Sequence, residues 1–155
     1  MRKLNLSLLK LEQIDHAFPL VCSSCPGSDL LTWRRFAEQR IDQHSKNGCG
    51  VLVVRNEQAC IVGLGAFQLT YDLRHGRVLF ADQFCALDVI GEASIARSLE
   101  DGIEKIARRH GCAAIHTSIA CSVRQSDDGW LSSILYERGH RLEGLYMCKP
   151  VTAVA

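Results

Sequence analysis

Two cysteines in the first fifth of the chain have the spacing that binds a metal ion or forms a redox disulfide. Cys22 and Cys25 are the ends of a CSSC run that is followed by Pro and Gly. A structural zinc site needs four ligands, and the sequence holds no second CxxC and no HxxxH to complete one. We therefore predict no metal site and interpret both residues as free thiols before a turn, with a metal or redox role as the alternative.

The other cysteines occur singly, and most lie within apolar runs, where a thiol packs as a small hydrophobic group. Cys85 and Cys121 are the two that lie nearest to the polar positions discussed below. Neither has an adjacent His or basic residue that would lower the pKa of its thiol and make it nucleophilic. We interpret both as packing residues.

Two side chains in predicted strands are candidate proton acceptors. Asp82 interrupts the apolar run LFADQFCAL, and burial of a carboxyl raises its pKa toward the range that suits a general base. Its alternative role is a bulge or edge residue that faces solvent. His116 lies in the run CAAIHTSIA and can accept a proton near neutral pH, although a strand His is more often structural.

Composition limits the class of protein. The 155 residues suit one domain, which we place at 1–155, and 18 Lys plus Arg against 17 Asp plus Glu leave no field that would attract nucleic acid. No apolar run approaches the length of a membrane span, and the N-terminal residues alternate rather than form a signal core. We expect a cytoplasmic protein that binds neither nucleic acid nor membranes.

Hydrophobic periodicity divides the first half into strands and helices. A strand at 3–11 is followed by a short helix that Pro19 should end, and then by a helix over 25–48 that Ser28 or Asp29 caps and Gly48 closes. Runs at 50–56, 59–71 and 77–90 are rich in β-branched and aromatic residues and are separated by short turns. They predict three consecutive antiparallel strands.

The second half begins with the clearest helix of the chain, 94–111. Apolar residues recur on one face, and Gly111 supplies the left-handed end; on the other face we predict the pairs Arg97–Asp101, Asp101–Lys105 and Glu104–Arg108. A strand over 112–120, a helix over 126–139 and a last strand over 140–151 follow. The predicted order is β-α-α-β-β-β-α-β-α-β, and the step across helix 94–111 should be parallel.

This order resembles the GNAT N-acetyltransferase family over 4–151, and two motifs carry the resemblance. The run ILYERGHRLEG is similar to the helix-to-strand signature of that family, with His140 where an aromatic residue is usual. The resemblance implies an α/β (α+β) fold with a mixed, mostly antiparallel sheet and helices on both faces. It also implies that Tyr136 protonates the departing thiolate of CoA.

The second motif, FCALDVIGEASIAR, resembles the family's fourth strand and pyrophosphate loop. The loop's small residues fall on Gly91, Ser94 and Ala96, and the usual basic residue is absent. A helix N-terminus binds phosphate through backbone N–H groups and its dipole, so the resemblance still implies a CoA site, which the negative charge of Glu92 weakens. The CoA-binding residues implied are Cys85, Ala86, Leu87, Gly91, Glu92, Ala93, Ser94, Ile95 and Ala96, with oxyanion or pantetheine donors at Ala86 and Leu87.

The function that the resemblance implies is direct, acetyl-CoA-dependent N-acetylation of a small amine or a protein amino group. Loops 70–76 and 120–129 would shape the acceptor pocket, although we interpret most of their polar side chains as solvated surface. The alternative is a GNAT-fold binding or regulatory module without catalysis, with a homodimer formed through the last strands.

Overall fold

A computed structural model describes residues 3–87, 93–119 and 129–151. Within them, five strands form one sheet in the order β1-β2-β3-β4-β5. The strands are β1 (Asn5–Leu8), β2 (Cys49–Arg55), β3 (Ile61–Asp72), β4 (Gly76–Ala86) and β5 (Ala114–Thr117). Every neighbouring pair is antiparallel except β4 with β5, which is parallel. This confirms the predicted mixed, mostly antiparallel sheet and its parallel last step.

Helices cover both faces of the sheet, as predicted. They are α1 (Ile14–Ser24), α2 (Leu30–Asp42), α3 (His44–Asn47), α4 (Ser94–Arg109) and α5 (Gly129–Glu137), with a short 3-10 turn at Leu11–Gln13 before α1. Successive residues of β2 alternate between the faces: Val51 and Val53 pack with α1 and α2, whereas Leu52 and Val54 pack with α4. The described part of the chain holds no helix of the length and apolar character that crossing a membrane requires.

The helix α1 corrects the prediction that Pro19 ends it, because Pro19 lies inside the helix. A proline removes the hydrogen bond to the carbonyl four residues earlier, here that of Asp15. Asp15 and Pro19 are both exposed, so water can satisfy that carbonyl, while Leu20 and Val21 beyond the proline gain burial. The apolar face therefore extends the helix to Ser24.

The caps of α2 and α3 follow the prediction in part. Asp29 caps α2 and accepts a hydrogen bond from the Thr32 N–H at 2.9 Å. Gly48 closes α3 in the left-handed conformation, with φ of 60°. The single predicted helix is divided at Gln43, whose backbone leaves the helical region.

The helix α4 forms as predicted, with Ile95, Leu99 and Ile103 buried and Gly111 left-handed at φ of 65°. Two of its three predicted ion pairs are wrong. Arg97 pairs with Glu137 at 2.9 Å and Asp101 pairs with Arg138, because α5 and the residues after it lie beside α4 and supply partners from another element. The third pair, Glu104 with Arg108, is present.

The predicted last strand over 140–151 is wrong for the described residues. No residue of this segment belongs to a strand, and Leu142, Leu145, Tyr146, Met147 and Val151 are exposed. An alternating pattern forms a strand only where an edge accepts its backbone groups. The described sheet ends at β1 and β5, and this segment pairs with neither strand.

Candidate active site

The main feature of the candidate site is the point at which β4 and β5 part. Their ladder begins at Val78 with Ala114 and ends at Ala81 with Thr117, and the Ser118 N–H donates to the Ala81 carbonyl at 2.9 Å. The strand β4 then continues through 82–86 with β3 alone among the described residues. Among the described parts of the chain, one side of β4 is unpaired over these five residues, and we refer to it as the open edge.

A β-bulge coincides with the start of this open edge. Ala66 pairs with Gln83 and Phe67 pairs with Ala81, so Asp82 is the extra residue of β4. A bulge bends its strand and increases the local twist. The same residue therefore turns β4 at the position where β5 stops.

The register with β3 determines which backbone groups of β4 face the open edge. In an antiparallel ladder, residues alternate between pointing their N–H and carbonyl at the partner strand and pointing them away. The Leu87 N–H donates to the Val62 carbonyl on β3 at 2.9 Å. The backbone N–H and carbonyl of Cys85 likewise point to β3, and those of Phe84 and Ala86 point to the open edge.

This register separates the two predicted backbone donors. The Ala86 N–H faces the open edge, in agreement with the role predicted for it. The Leu87 N–H is directed to β3 and already has an acceptor there, so Leu87 does not meet the expectation of a second donor. The sequence motif places both residues in the same run and cannot reveal this alternation.

Three elements meet at the end of β4. Ala96 in the first turn of α4 and Leu131 and Ile134 of α5 form a buried cluster, and Phe84 and Ala86 pack against it. Gly63 lies opposite Ala86 on β3, and a Cβ there would lie 2.5 Å from the Ile95 Cγ2 atom. Because Gly63 has no side chain, α4 can bring its N-terminal turn close to this end of the sheet.

The predicted pyrophosphate loop is only partly described. Gly91 and Glu92 lie outside the described residues, while Ala93 occupies the N-cap position of α4 and Ser94 is its exposed first residue. The cap has no side-chain hydrogen bond. The side chains of Ile95 and Ala96 are buried, so Ser94 carries the exposed side chain at the start of α4.

The thiol of Cys85 is a packing group, as the sequence analysis concluded. Its side chain is buried in the cluster formed with α1 and α2. Burial raises the pKa of the Cys85 thiol to about 11, which keeps it protonated and not nucleophilic at neutral pH. Cys121 lies outside the described residues.

Cys22 and Cys25 are both free thiols. The Cys25 Sγ lies 3.8 Å from the Gln83 Oε1, and the Cys22 Sγ lies 3.9 Å from the Ser28 carbonyl. The two thiols therefore have separate hydrogen-bond partners. The described residues place no third metal ligand with them.

Asp82 does not face solvent, although it is a bulge residue. Its carboxylate forms an ion pair with Arg40 of α2, and the two side chains are 18% and 12% exposed. Arg40 also donates to the Phe67 carbonyl at 3.0 Å and lies over the Phe36 ring. The Oδ1 of Asp82 is buried and has no hydrogen-bond partner among the described residues.

Tyr136 lies near the C-terminal end of α5, next to the buried residues Ile134 and Leu135. Its side chain is about half exposed, and its hydroxyl has no hydrogen-bond partner in the described part of the chain. The alternative in which this hydroxyl caps a neighbouring strand is therefore not observed there. His116, the other candidate base, lies at 3.1 Å from His75 rather than beside Tyr136.

A buried carboxylate that the sequence analysis did not single out fixes α5 on α4. Glu100 of α4 accepts from Arg138 at 2.8 Å and lies 3.2 Å from the His140 Nε2 atom. The contacts with His140 and Arg138 hold the pKa of Glu100 below its usual value. The sequence signal for it was a glutamate on the apolar side of an amphipathic helix, because Glu100 lies four residues after Ala96 and three before Ile103.

Comparison with solved structures identifies the fold. No sequence model of a protein family matches the chain, and no curated protein sequence matches it. An aminoglycoside N-acetyltransferase solved with CoA superposes with a TM-score of 0.77 at 10% identity, over 97% of this chain and 96% of that one.

Two further structures superpose on this chain over their whole length. A ribosomal-protein-alanine N-acetyltransferase from Brucella melitensis biovar Abortus has a TM-score of 0.72 at 17% identity, over 96% of this chain and 100% of that one. A GNAT family acetyltransferase from Staphylococcus aureus has a TM-score of 0.70 at 13% identity, over 97% and 100%. The chain has the GNAT fold.

Proposed function

We propose that the chain is an acetyl-CoA-dependent N-acetyltransferase that transfers the acetyl group directly to a small amine or a protein amino group. The observation that carries the proposal is the open edge of β4 beside the first turn of α4. Backbone donors and acceptors that a neighbouring strand leaves unpaired are suited to pair with the amides of a pantetheine chain. A plain continuous sheet would offer no such groups.

The backbone groups of Phe84 and Ala86 would hold the pantetheine chain, and the start of α4 would hold the pyrophosphate. The dipole of a helix favours an anion at its N-terminal end, where phosphate groups commonly bind. Ser94 is exposed and small, so it leaves room for a phosphate. Gly91, Glu92 and Ala93 precede it as the remaining residues of the proposed loop.

When bound, acetyl-CoA supplies an acetyl thioester, whose transfer forms a C–N bond to the amine and breaks the C–S bond. The Ala86 N–H is the proposed donor to the oxygen that gains negative charge. Tyr136 is the proposed acid that gives its proton to the leaving thiolate. Asp82 Oδ1 is the proposed acceptor of the proton lost by the amine, because Oδ2 is held by Arg40.

Binding of acetyl-CoA tests the first half of the proposal. Ser94→Glu places a negative charge at the start of α4, and repulsion from a phosphate of about 1.4 kcal/mol would weaken binding about tenfold. Ser45→Glu makes the same change at an exposed serine of α3 and should leave the affinity unchanged. Isothermal calorimetry measures both.

The stability of these variants separates a site effect from misfolding. An acid in the first turn favours a helix, so Ser94→Glu should unfold at or above the wild-type temperature while it loses acetyl-CoA. The enzyme proposal is wrong if the wild type binds no acetyl-CoA at millimolar concentration. If both variants weaken acetyl-CoA binding equally, the proposed position of the pyrophosphate at the start of α4 is wrong.

Turnover tests the second half. Tyr136→Phe keeps the ring and removes the hydroxyl, so turnover should fall by roughly a hundredfold while acetyl-CoA affinity stays constant. Tyr71→Phe makes the same change at an exposed tyrosine of β3 and serves as the control. Acetylated product is separated chromatographically, because the free cysteines of the chain would consume a thiol reagent.

The acceptors for this assay follow from the structural neighbours. Their names give an aminoglycoside and a ribosomal-protein alanine as acceptors of those proteins, so one aminoglycoside and one alanine-initiated peptide represent the two proposed classes. Product with either class assigns the acceptor type. Unchanged turnover in Tyr136→Phe removes Tyr136 from the acid role.

A binding or regulatory module without catalysis is the second candidate. The Arg40–Asp82 ion pair favours it, because a carboxylate that is buried against an arginine of α2 can serve a purely structural role. Such a module would bind acetyl-CoA, and Ser94→Glu would weaken that binding as it would in an enzyme. It would form no acetylated product. Binding with turnover excludes it.

A further inference from the structure

Asp72, His75 and His116 bring a carboxylate and two imidazoles together outside the candidate active site; we refer to them as the Asp-His-His cluster. One ligand atom from each residue lies within 4.8 Å of the others. The His75 Nδ1 is 3.1 Å from the His116 Nε2 and 3.2 Å from the Asp72 Oδ1. His116 lies opposite Phe80, six residues before Ala86 along β4, or roughly 20 Å away.

The fold holds these three residues in place through its backbone. The Asp72 Oδ1 accepts hydrogen bonds from the N–H groups of Arg74 at 2.9 Å and His75 at 2.8 Å, which closes the turn from β3 to β4. Hydrogen bonds from these two N–H groups, with that of His75 the largest cause, hold the pKa of Asp72 below its usual value. His116 is fixed by the parallel ladder of β5 with β4. The ligand atoms are therefore preorganised.

A second carboxylate lies on the far side of His75. The Glu143 Oε2 lies 3.4 Å from the His75 Nε2, and Arg74 holds the same oxygen at 3.4 Å. With a metal ion on Nδ1, the proton of His75 would be on Nε2 and would face this carboxylate. Histidines that bind metals commonly present their second nitrogen to a carboxylate in this way.

Two of the three distances between the ligand atoms match the coordination of zinc, and the third is within 4.8 Å. Zn–N and Zn–O bonds of about 2.0 to 2.1 Å at tetrahedral angles place neighbouring ligand atoms roughly 3.3 Å apart. Both distances to the His75 Nδ1 are close to this value. We propose that Asp72, His75 and His116 bind a Zn²⁺ ion, with water in the fourth position and Glu143 orienting His75.

Partial exposure gives the ion a path to the site. The side chains of Asp72 and His75 are 33% and 26% exposed, so solvent reaches the open side of the cluster. A bound ion would join the turn between β3 and β4 to β5, which is an edge strand of four residues. We expect the ion to stabilise this end of the sheet, and the proposal does not depend on acetyl transfer.

Zinc titration of the tag-free, chelator-stripped chain tests the proposal. Calorimetry with ZnCl₂ should give one ion per chain, and CoCl₂ should give the visible spectrum of a tetrahedral site. Affinity should fall as the pH is lowered and the imidazoles take up protons. His116→Gln should lower zinc affinity at least a hundredfold, and Glu143→Gln, which removes an orienting group, by about tenfold.

His110→Gln is the matched control, because His110 is an exposed histidine after α4 and outside the cluster. It should leave zinc affinity unchanged. Asp72→Asn and His75→Gln extend the test if His116→Gln does not fold, which circular dichroism of the metal-free protein reveals. Absence of zinc binding, or binding that survives these substitutions, overturns the proposal.

A cluster held together by a proton alone gives a different result. Protonated His75 would lie between Asp72 and Glu143 without any ion, and zinc would then leave the unfolding temperature unchanged. That outcome also overturns the proposal. A zinc-dependent rise in the unfolding temperature that His116→Gln abolishes supports it.

Discussion

Replacement of Glu100 by Gln removes the charge of a buried carboxylate but keeps its size. Glu100 is the only buried charged residue in the described part of the chain, and its side chain is 5% exposed. It contacts Arg138 and His140, which follow α5 directly. The change therefore leaves the Arg138 guanidinium, which is 30% exposed, without one of its counter-charges.

The size of the effect follows from these exposures. Removing one partner of a fully buried ion pair costs about 3 to 5 kcal/mol. Arg138 is less buried than that and retains Asp101, so we expect Glu100→Gln to lower the free energy of unfolding by about 2 kcal/mol. For a chain of this length, that corresponds to a fall in unfolding temperature of about 4 to 8 °C.

Urea unfolding at neutral pH measures this loss. Glu137→Gln is the control, because Glu137 is 58% exposed and its pair with Arg97 lies on the surface, where ion pairs contribute little. The m-value should stay constant in both variants. Equal destabilisation by the two substitutions would refute the assignment of Glu100 as the residue that fixes α5 on α4.

The pH dependence gives an independent check of the same residue. The pKa of Glu100 is lower in the folded chain than its usual value of 4.5. The contribution of the Glu100 carboxylate to the free energy of unfolding is therefore complete above pH 4.5, and it is lost as the pH falls through the pKa of Glu100 in the folded chain. The stability difference between wild type and Glu100→Gln should be constant near neutral pH and shrink in acid.

Two further predictions concern Asp82 and the C-terminal segment. If Asp82 is the base, Asp82→Asn should lower turnover with little change in the Michaelis constant, and it should also destabilise the chain because Arg40 loses its partner. Asp15→Asn, in an exposed ion pair, should change neither turnover nor stability. An Asp82→Asn variant that is stable and fully active would contradict both roles of Asp82. The exposed apolar residues of 140–151 predict self-association of the chain. Light scattering should therefore find a dimer that Leu145→Glu dissociates. A monomeric wild type would contradict this prediction.

Much of the fold follows from local pattern. The helix α4 has its apolar residues at helical spacing, and the strands β2, β3 and β4 are β-branched runs with short turns between them, so each element can be predicted without knowledge of its partners. The segment 140–151 has a strand pattern as well but forms no strand among the described residues. Whether an alternating segment forms a strand depends on a free edge, which no local pattern reports.

The parts of the site that escaped prediction are those that depend on pairs distant in sequence. Glu100 contacts Arg138, which is 38 residues away in the sequence, and His75 contacts His116, which is 41 residues away. Helical spacing predicted a partner for Arg97 within α4, whereas its partner lies on α5. The choice between Ala86 and Leu87 as donor depends on strand register, which the bulge at Asp82 shifts. Apart from the position of Glu100 on the apolar side of α4, none of these features leaves a signal in the order of residue types alone.

Amide hydrogen exchange at Ala86 tests the central claim, that acetyl-CoA pairs with the open edge of β4. In the free chain, the Ala86 N–H should exchange faster than that of Leu87, which donates to the Val62 carbonyl. Saturating acetyl-CoA should slow exchange at Ala86 and leave Leu87 nearly unchanged. Unaltered exchange at Ala86 in the presence of bound acetyl-CoA would contradict the claim.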